Sequence, residues 1–195
     1  MQWGMLVRAT VAGAISTSPV VAKTYAEISA RQPRLFHADT GYRSDRYRAP
    51  IPDDAPAGVG ILDAEGTAAI APNALLIDAM GALQSRYDEL DGTWLVSKPR
   101  QSLPGAIWLP EIGRGTISAE LSRYLETNLI RLTHGNVEQP IVVFCTADCW
   151  MSWNAAARIA SLGYKDVHWF PLGVDGWLDS GRTLEAVDPV PVDVN

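Results

Sequence analysis

The chain has 195 residues, of which 47% are hydrophobic and 19% charged, with a formal net charge of −6 at neutral pH. That length suffices for one folded domain with a core and some extension, and the acidic balance argues against a protein that works by neutralising nucleic-acid phosphates. No apolar run reaches the roughly 18 residues that a membrane-spanning helix needs. Two cysteines cannot make a disulfide framework for a domain of this size, so the pair reads as a site or as an accident.

Residues 1–22 read as a secretory leader. The positive charge at Arg8 precedes a mildly apolar stretch at 9–15, interrupted further on by Ser16, Ser18 and Pro19, and Val20-Val21-Ala22 supplies the small residues a signal peptidase requires. The expectation is an exported, periplasmic protein, in an oxidising compartment where nearby thiols can pair. Residues 23–58 form an irregular Tyr/Arg/Pro-rich arm. Its 31–48 segment carries five arginines against two aspartates, and Tyr42-Arg43 and Tyr47-Arg48 repeat one dipeptide at a spacing of five. Such an arm either packs on the domain through its tyrosines or docks an acidic partner or the site itself. Pro50, Pro52 and Pro56 read as a linker that resists helix and strand alike.

From residue 59 the chain alternates as α/β domains do, over a domain spanning 59–187 with a tail at 188–195. The spacing predicts a strand at 59–62, a short helix at 63–70 interrupted by Gly66, and a buried strand at 74–77 ending at Asp78. Residues 81–100 read mostly as loop, and 106–109 as a strand introduced by Pro104-Gly105. Leu121, Leu125, Leu129 and Leu132 make the apolar stripe of a helix over 118–132, with Glu120 near its positive end. A strand at 141–144 enters the cysteines, a helix follows at 153–162 with Gly163 as its stop, and a strand at 167–170 and a helix at 174–180 close the domain. Strands that lack alternation and are separated by helices imply a doubly wound parallel sheet flanked by helices. In such sheets ligands sit at the carboxyl ends of strands, which is where Cys145 lies.

Cys145 follows four apolar residues, so its backbone is anchored in the sheet. Residues 146–152 must then curl before the helix, turning their amides inward at a helix N-terminus, which lowers a thiol's pKa and makes it a nucleophile. The loop Thr146, Ala147, Asp148, Trp150, Met151 and Ser152 is the candidate substrate- or anion-binding element, with Ser152 as the expected helix cap and Asn154 near the first turn.

Several elements in order resemble the rhodanese-like domain family: Leu76-Ile77-Asp78, Leu103-Pro104-Gly105-Ala106, Val143-Phe144-Cys145, Leu162-Gly163-Tyr164 and Leu172-Gly173-Val174-Asp175-Gly176-Trp177. The resemblance implies the rhodanese-like sheet, a persulfide carried on Cys145 in sulfur transfer, and Asp78 as a residue that orients the loop. More narrowly, CTADCWMSWNAA at 145–156, together with the arm, resembles exported rhodanese-like proteins named for a CXXCW motif and associated with PQQ-dependent alcohol catabolism; here three residues separate the cysteines. That implies a small sulfur-containing substrate or a thiol protein as partner, and a PQQ-dependent dehydrogenase or c-type cytochrome system nearby.

The loop lacks the arginine or lysine that sulfurtransferases of the family use to hold an anionic donor, and carries Asp148 instead. At an effective dielectric of about 20 a like charge ~4 Å away costs roughly 4 kcal/mol, so weak or no thiosulfate activity is expected, and likewise little phosphatase activity. Cys149 offers other chemistry. It can resolve a persulfide or sulfenate on Cys145 into a disulfide, since α-carbons four residues apart in a tight loop can fall within the roughly 7 Å limit. The pair can also bind Cu(I), with His168 on the neighbouring strand as a conceivable third ligand or simply a sheet residue. Trp150 reads as packing, a lid or a partner contact; Trp153, Trp108 and Trp177 read as core. The alternative to a thiol enzyme is a non-catalytic accessory module that binds a partner, cofactor or metal.

Overall fold

The computed structural model describes residues 23–82, 86–96 and 99–193; the expected leader at 1–22 lies outside them. Its strands are β1 (Val59–Ile61), β2 (Leu75–Asp78), β3 (Arg100–Ser102), β4 (Ile107–Trp108), β5 (Ile141–Phe144), β6 (Val167–Phe170) and β7 (Glu185–Val187). Its helices are α1 (Tyr25–Arg31), α2 (Ala64–Ile70), α3 (Ala119–Thr133), α4 (Trp150–Ser161) and α5 (Gly173–Asp179). Five strands form a parallel sheet in the order β1-β6-β5-β2-β4, with β5 at its centre.

The centre of the sheet is buried on both faces, which is why its strands read as unbroken apolar runs. In β5, Ile141 and Val143 face a core shared with Leu125 and Leu129 of α3 and with Trp153, Ala155 and Ile159 of α4. Val142 and Phe144 face the opposite core, with Phe170, Val174 and Trp177 and the alanines of α2. The fold is therefore the expected mixed α/β sheet covered on both sides, and β5 delivers the first cysteine at its carboxyl end.

Several local expectations change. Gly66 does not interrupt α2, because Asp63 caps the helix by accepting the Gly66 N–H at 2.7 Å. The strand expected at 106–109 shortens to two residues, and β3 and β7 appear as an antiparallel pair outside the main sheet. Helix α4 starts at Trp150, three residues before the expected position, with Cys149 as its N-cap. Ser152 is thus inside the first turn rather than at the cap. Its hydroxyl donates to the Cys149 carbonyl at 3.1 Å and accepts the Trp169 indole N–H at 3.0 Å.

The arm is ordered against the domain. Thr24 and Glu27 form a reciprocal capping box at the start of α1. Tyr42 and Tyr47, the repeated tyrosines, lie beneath the guanidinium groups of Arg158 and Arg114 at 4.5 and 4.8 Å. Pro52 and Pro56 are buried, so the proline stretch is packed chain. The end of the chain also packs: the Val190 carbonyl accepts from the Trp94 indole and the Tyr124 hydroxyl, and Val192 is buried.

Candidate functional site

The site is assembled at the carboxyl end of β5. Cys145 and Cys149 are joined as a disulfide, with their Cα atoms 6.6 Å apart. Both residues are buried and cluster with Met151, against which Tyr47 and Met80 pack. The expected free, amide-encircled thiolate is therefore absent: each sulfur's partner is the other.

The loop between them is only three residues long, 146–148, and its backbone is bonded within the protein. The Ala147 N–H donates to Asp175 Oδ2 at 2.8 Å, and the Thr146 hydroxyl donates to the same oxygen. The Trp150 N–H, at the start of α4, donates to the Tyr47 carbonyl at 2.9 Å, and the Asp148 carbonyl accepts the Ala49 N–H at 3.1 Å. The arm thus lies antiparallel to the loop, with Arg48 opposite Cys149. Asp175 of α5 supplies a negative charge where a substrate anion would otherwise meet the Ala147 amide. Asp148, the carboxylate expected to repel anions, is exposed and held with φ +51°.

Asp78, the other predicted site residue, does bear on the loop, through a relay. It is fully buried at the end of β2 and accepts from the Arg100 Nε–H, the Ser102 hydroxyl at 2.7 Å and the Met80 N–H at 3.0 Å. Arg100 in turn donates from Nη2 to the Cys145 carbonyl at 2.9 Å. Burial pushes the Asp78 carboxyl above its ordinary value, opposed by the Arg100 charge and the three donors. The Val174 N–H also donates to the Cys145 carbonyl, at 3.2 Å, so that oxygen is fixed from two sides.

Trp150 is not a lid. It is fully buried, donates from its indole to the Pro50 carbonyl at 3.1 Å, and packs edge-on against Phe36 and Trp153. Arg43 lies against both Phe36 and Trp150, at 5.1 and 5.2 Å from the ring centres, and desolvation pulls its pKa down. Asn154 fastens the same segment: its side chain accepts the Arg43 N–H and donates to the Arg43 and Gly113 carbonyls. Trp153 donates to the Asp54 carbonyl and stacks on Tyr25, while Trp108 and Trp177 are core as expected.

His168 is not brought to the cysteines. It sits two pairing positions below the end of β5, opposite Val142, with its Nε2 bonded to Asp166 just before β6 begins. Among the described residues there is no group of three or more His, Cys, Asp or Glu side chains that could hold a metal. A cleft of about 520 Å³ does reach the site, lined by Arg46, Tyr47, Arg48, Met80, Arg114 and Cys149 among others. The sequence reasoning missed Arg100, Ser102, Asp175 and Asn154 as parts of the site. For Asp175 the signal available was its place in the Leu172–Trp177 motif; the others carry none.

A family profile of the rhodanese-like domain matches residues 65–180, more than half of the chain. The chain belongs to the rhodanese-like domain family. The fold is similar to that of the thiosulfate sulfurtransferase from Pseudomonas aeruginosa, at 19% identity and a TM-score of 0.45, covering 67% of this chain but only 21% of that one. It is also similar to the polysulfide-sulfur transferase homodimer from Wolinella succinogenes, at 20% identity and a TM-score of 0.42, covering 66% of this chain and 80% of that one. No curated protein matches the chain. Within this rhodanese-like domain, Cys145 stands at the carboxyl end of β5; Asp78, through Arg100, holds its backbone carbonyl, and Asp175 holds the loop that follows.

Proposed function

We propose that this rhodanese-like protein passes sulfur, or the two electrons of a disulfide, through Cys145, with Cys149 as the resolving thiol. The observation that carries this reading is the union of the chain's two cysteine sulfurs at the carboxyl end of the central strand. In the reduced protein a sulfane donor adds one sulfur to the Cys145 thiolate, giving a persulfide. An acceptor thiolate then removes the outer sulfur. Alternatively, the Cys149 thiolate attacks the inner sulfur, which forms the observed disulfide and releases hydrosulfide.

Export to the periplasm fits this chemistry, since a disulfide persists there; its support is the leader-like sequence at 1–22. A place beside PQQ-dependent alcohol oxidation, with a dehydrogenase or c-type cytochrome as partner, rests on the resemblance of the 145–156 motif and the arm. Dehydrogenase and cytochrome genes adjacent to this one would support it. The burial of both sulfurs favours a second reading, in which the disulfide is a structural fastener in a non-catalytic accessory module.

Intact mass of freshly purified protein decides between them. Transfer chemistry predicts a population with one extra sulfur on Cys145 after incubation of the reduced protein with a sulfane donor, and its loss in Cys145→Ser. A two-hydrogen gain on mild reduction that Cys149→Ser abolishes is expected of either reading. A reduced protein whose Cys145 accepts no sulfur and titrates at or above the ordinary value of about 8.5 overturns the transfer reading.

A further inference from the structure

The geometry points to Cys149, rather than the motif cysteine Cys145, as the sulfur that an incoming thiol attacks, and to a small anionic thiol as the reductant that opens the pair. This rests on the disulfide chemistry proposed above and adds the point and polarity of entry. Cys149, itself only 1% exposed, lines the 520 Å³ cleft, whereas Cys145 is fully buried and does not border it. Among the described residues the cleft walls carry Arg46, Arg48 and Arg114 and no carboxylate, on a chain whose formal charge is −6. Arg114 is engaged by Glu111 at 2.6 Å and stacked on Tyr47, while Arg46 and Arg48 are exposed. Arg48 stands opposite Cys149 in the bridge between arm and loop, so its position is fixed by the backbone. These arginines come from the arm and from the segment before α3, so basic residues reach the site although the cysteine loop has none. Asp148, the loop's own carboxylate, is not among the cleft's lining residues.

The step is a thiol–disulfide exchange. A thiolate RS⁻ attacks Cys149 Sγ, a bond forms between the two, and the Cys145–Cys149 bond breaks with its electron pair leaving on Cys145 Sγ. Cys145 takes up a proton or remains a thiolate beside the N-terminus of α4. A second thiolate attacks the mixed disulfide at the outer sulfur, releasing RSSR and the Cys149 thiolate. Two thiols are oxidised and one protein disulfide is reduced. The consequence is a division of labour: Cys149 meets the reductant in the cleft, and Cys145 is released as the sulfur carrier.

The test uses the oxidised full-length protein and three thiols that differ in charge: 2-mercaptoethanesulfonate, 2-mercaptoethanol and cysteamine. Reactions are quenched in acid, the protein is unfolded and alkylated, and the adduct is mapped. The expected result is the mixed disulfide on Cys149 with the alkyl group on Cys145. Rates per thiolate should run anion, neutral, cation, with the anion roughly three- to tenfold ahead of the neutral thiol, as two exposed charges allow. In about 1 M salt, where screening falls to about 3 Å, the three rates should converge. They should also converge in an Arg46→Gln/Arg48→Gln double variant, with the salt series standing in if that protein does not fold. The thiol adduct on Cys145, no adduct at all, or rates indifferent to charge and salt overturns the proposal. Sulfur transfer is read separately, on protein already reduced. Its absence there refutes the transfer reading and leaves the adduct map to decide the entry point.

Discussion

Gly173 is the place where the sheet-to-helix geometry presses hardest on the cysteine loop. Its φ is +51°, and a methyl group built there would stand 2.6 Å from the Cys145 carbonyl oxygen, 2.7 Å from its carbon and 2.9 Å from the Thr146 nitrogen. All three are backbone atoms, so no side chain can swing away. For Gly173→Ala the left-handed backbone costs roughly 1–2 kcal/mol, and the forced overpacking adds about 1–3 kcal/mol. The sum, about 2–5 kcal/mol, is a large share of the 5–15 kcal/mol or so that holds a domain folded. Gly163→Ala isolates the second part, because Gly163 also has a positive φ, +95°, but nothing within 4 Å of the added methyl. Urea unfolding of the oxidised proteins should therefore place Gly173→Ala below Gly163→Ala by about 1–3 kcal/mol. Relief of the clash must move the Cys145 carbonyl away from Arg100 and Val174, so after reduction Cys145 should also alkylate faster in Gly173→Ala. Equal stabilities for the two variants would show that α5 does not press on the loop, and the account of how Cys145 is held would be wrong.

Two further outcomes follow from the carboxylates. Asp78→Asn leaves Arg100 without its ion-pair partner and should cost about 3 kcal/mol, the low end for a broken buried pair because Arg100 keeps some exposure. Since the folded Asp78 pKa lies above its ordinary 3.8, the folded chain holds more protons than the unfolded one between those two values. Wild-type stability should therefore fall as pH rises through that window and level off above it, a slope the Asn variant lacks in urea titrations. Wild-type thiosulfate:cyanide transfer should be feeble, and Asp175→Asn should raise it more than Asp148→Asn, because Asp175 bonds the loop amide whereas Asp148 is exposed. The reverse order in a steady-state assay would return the repulsion to Asp148.

The centre of the main sheet was readable because its strands are buried on both faces, and burial leaves an unbroken apolar run such as Ile141–Phe144. The pair β3 and β7 was not: Arg-Gln-Ser and Glu-Ala-Val hold no such run, and their pairing joins segments over eighty residues apart. The start of α4 was misplaced because Ser152 looks like a cap, whereas the true N-cap, Cys149, makes no side-chain capping bond. The arm's first helix was legible and overlooked, since Thr24 followed three residues later by Glu27 is a capping box. Arg43 and Asn154 were beyond reach, being neighbours only in space, 111 residues apart in sequence.

That last pairing explains how a cysteine loop without a basic residue can still sit in a basic cleft. With α4 beginning at Trp150, five residues, 145–149, remain between strand and helix, too few to surround a bound anion once Asp175 and Tyr47 have taken two of the amides. The space above the loop is filled by the arm, pinned by Asn154 at Arg43 and by the indoles of Trp150 and Trp153 at Pro50 and Asp54. Between those anchors the chain must pass over Cys149, and the residues that cross there include Arg46 and Arg48. The tryptophans after the second cysteine therefore act as fasteners for the strap that brings positive charge to the disulfide. Loosening either indole bond should weaken the cleft's preference for anions before it disturbs the parallel sheet, because the sheet's own contacts, β2 and β6 on either side of β5, do not involve the arm.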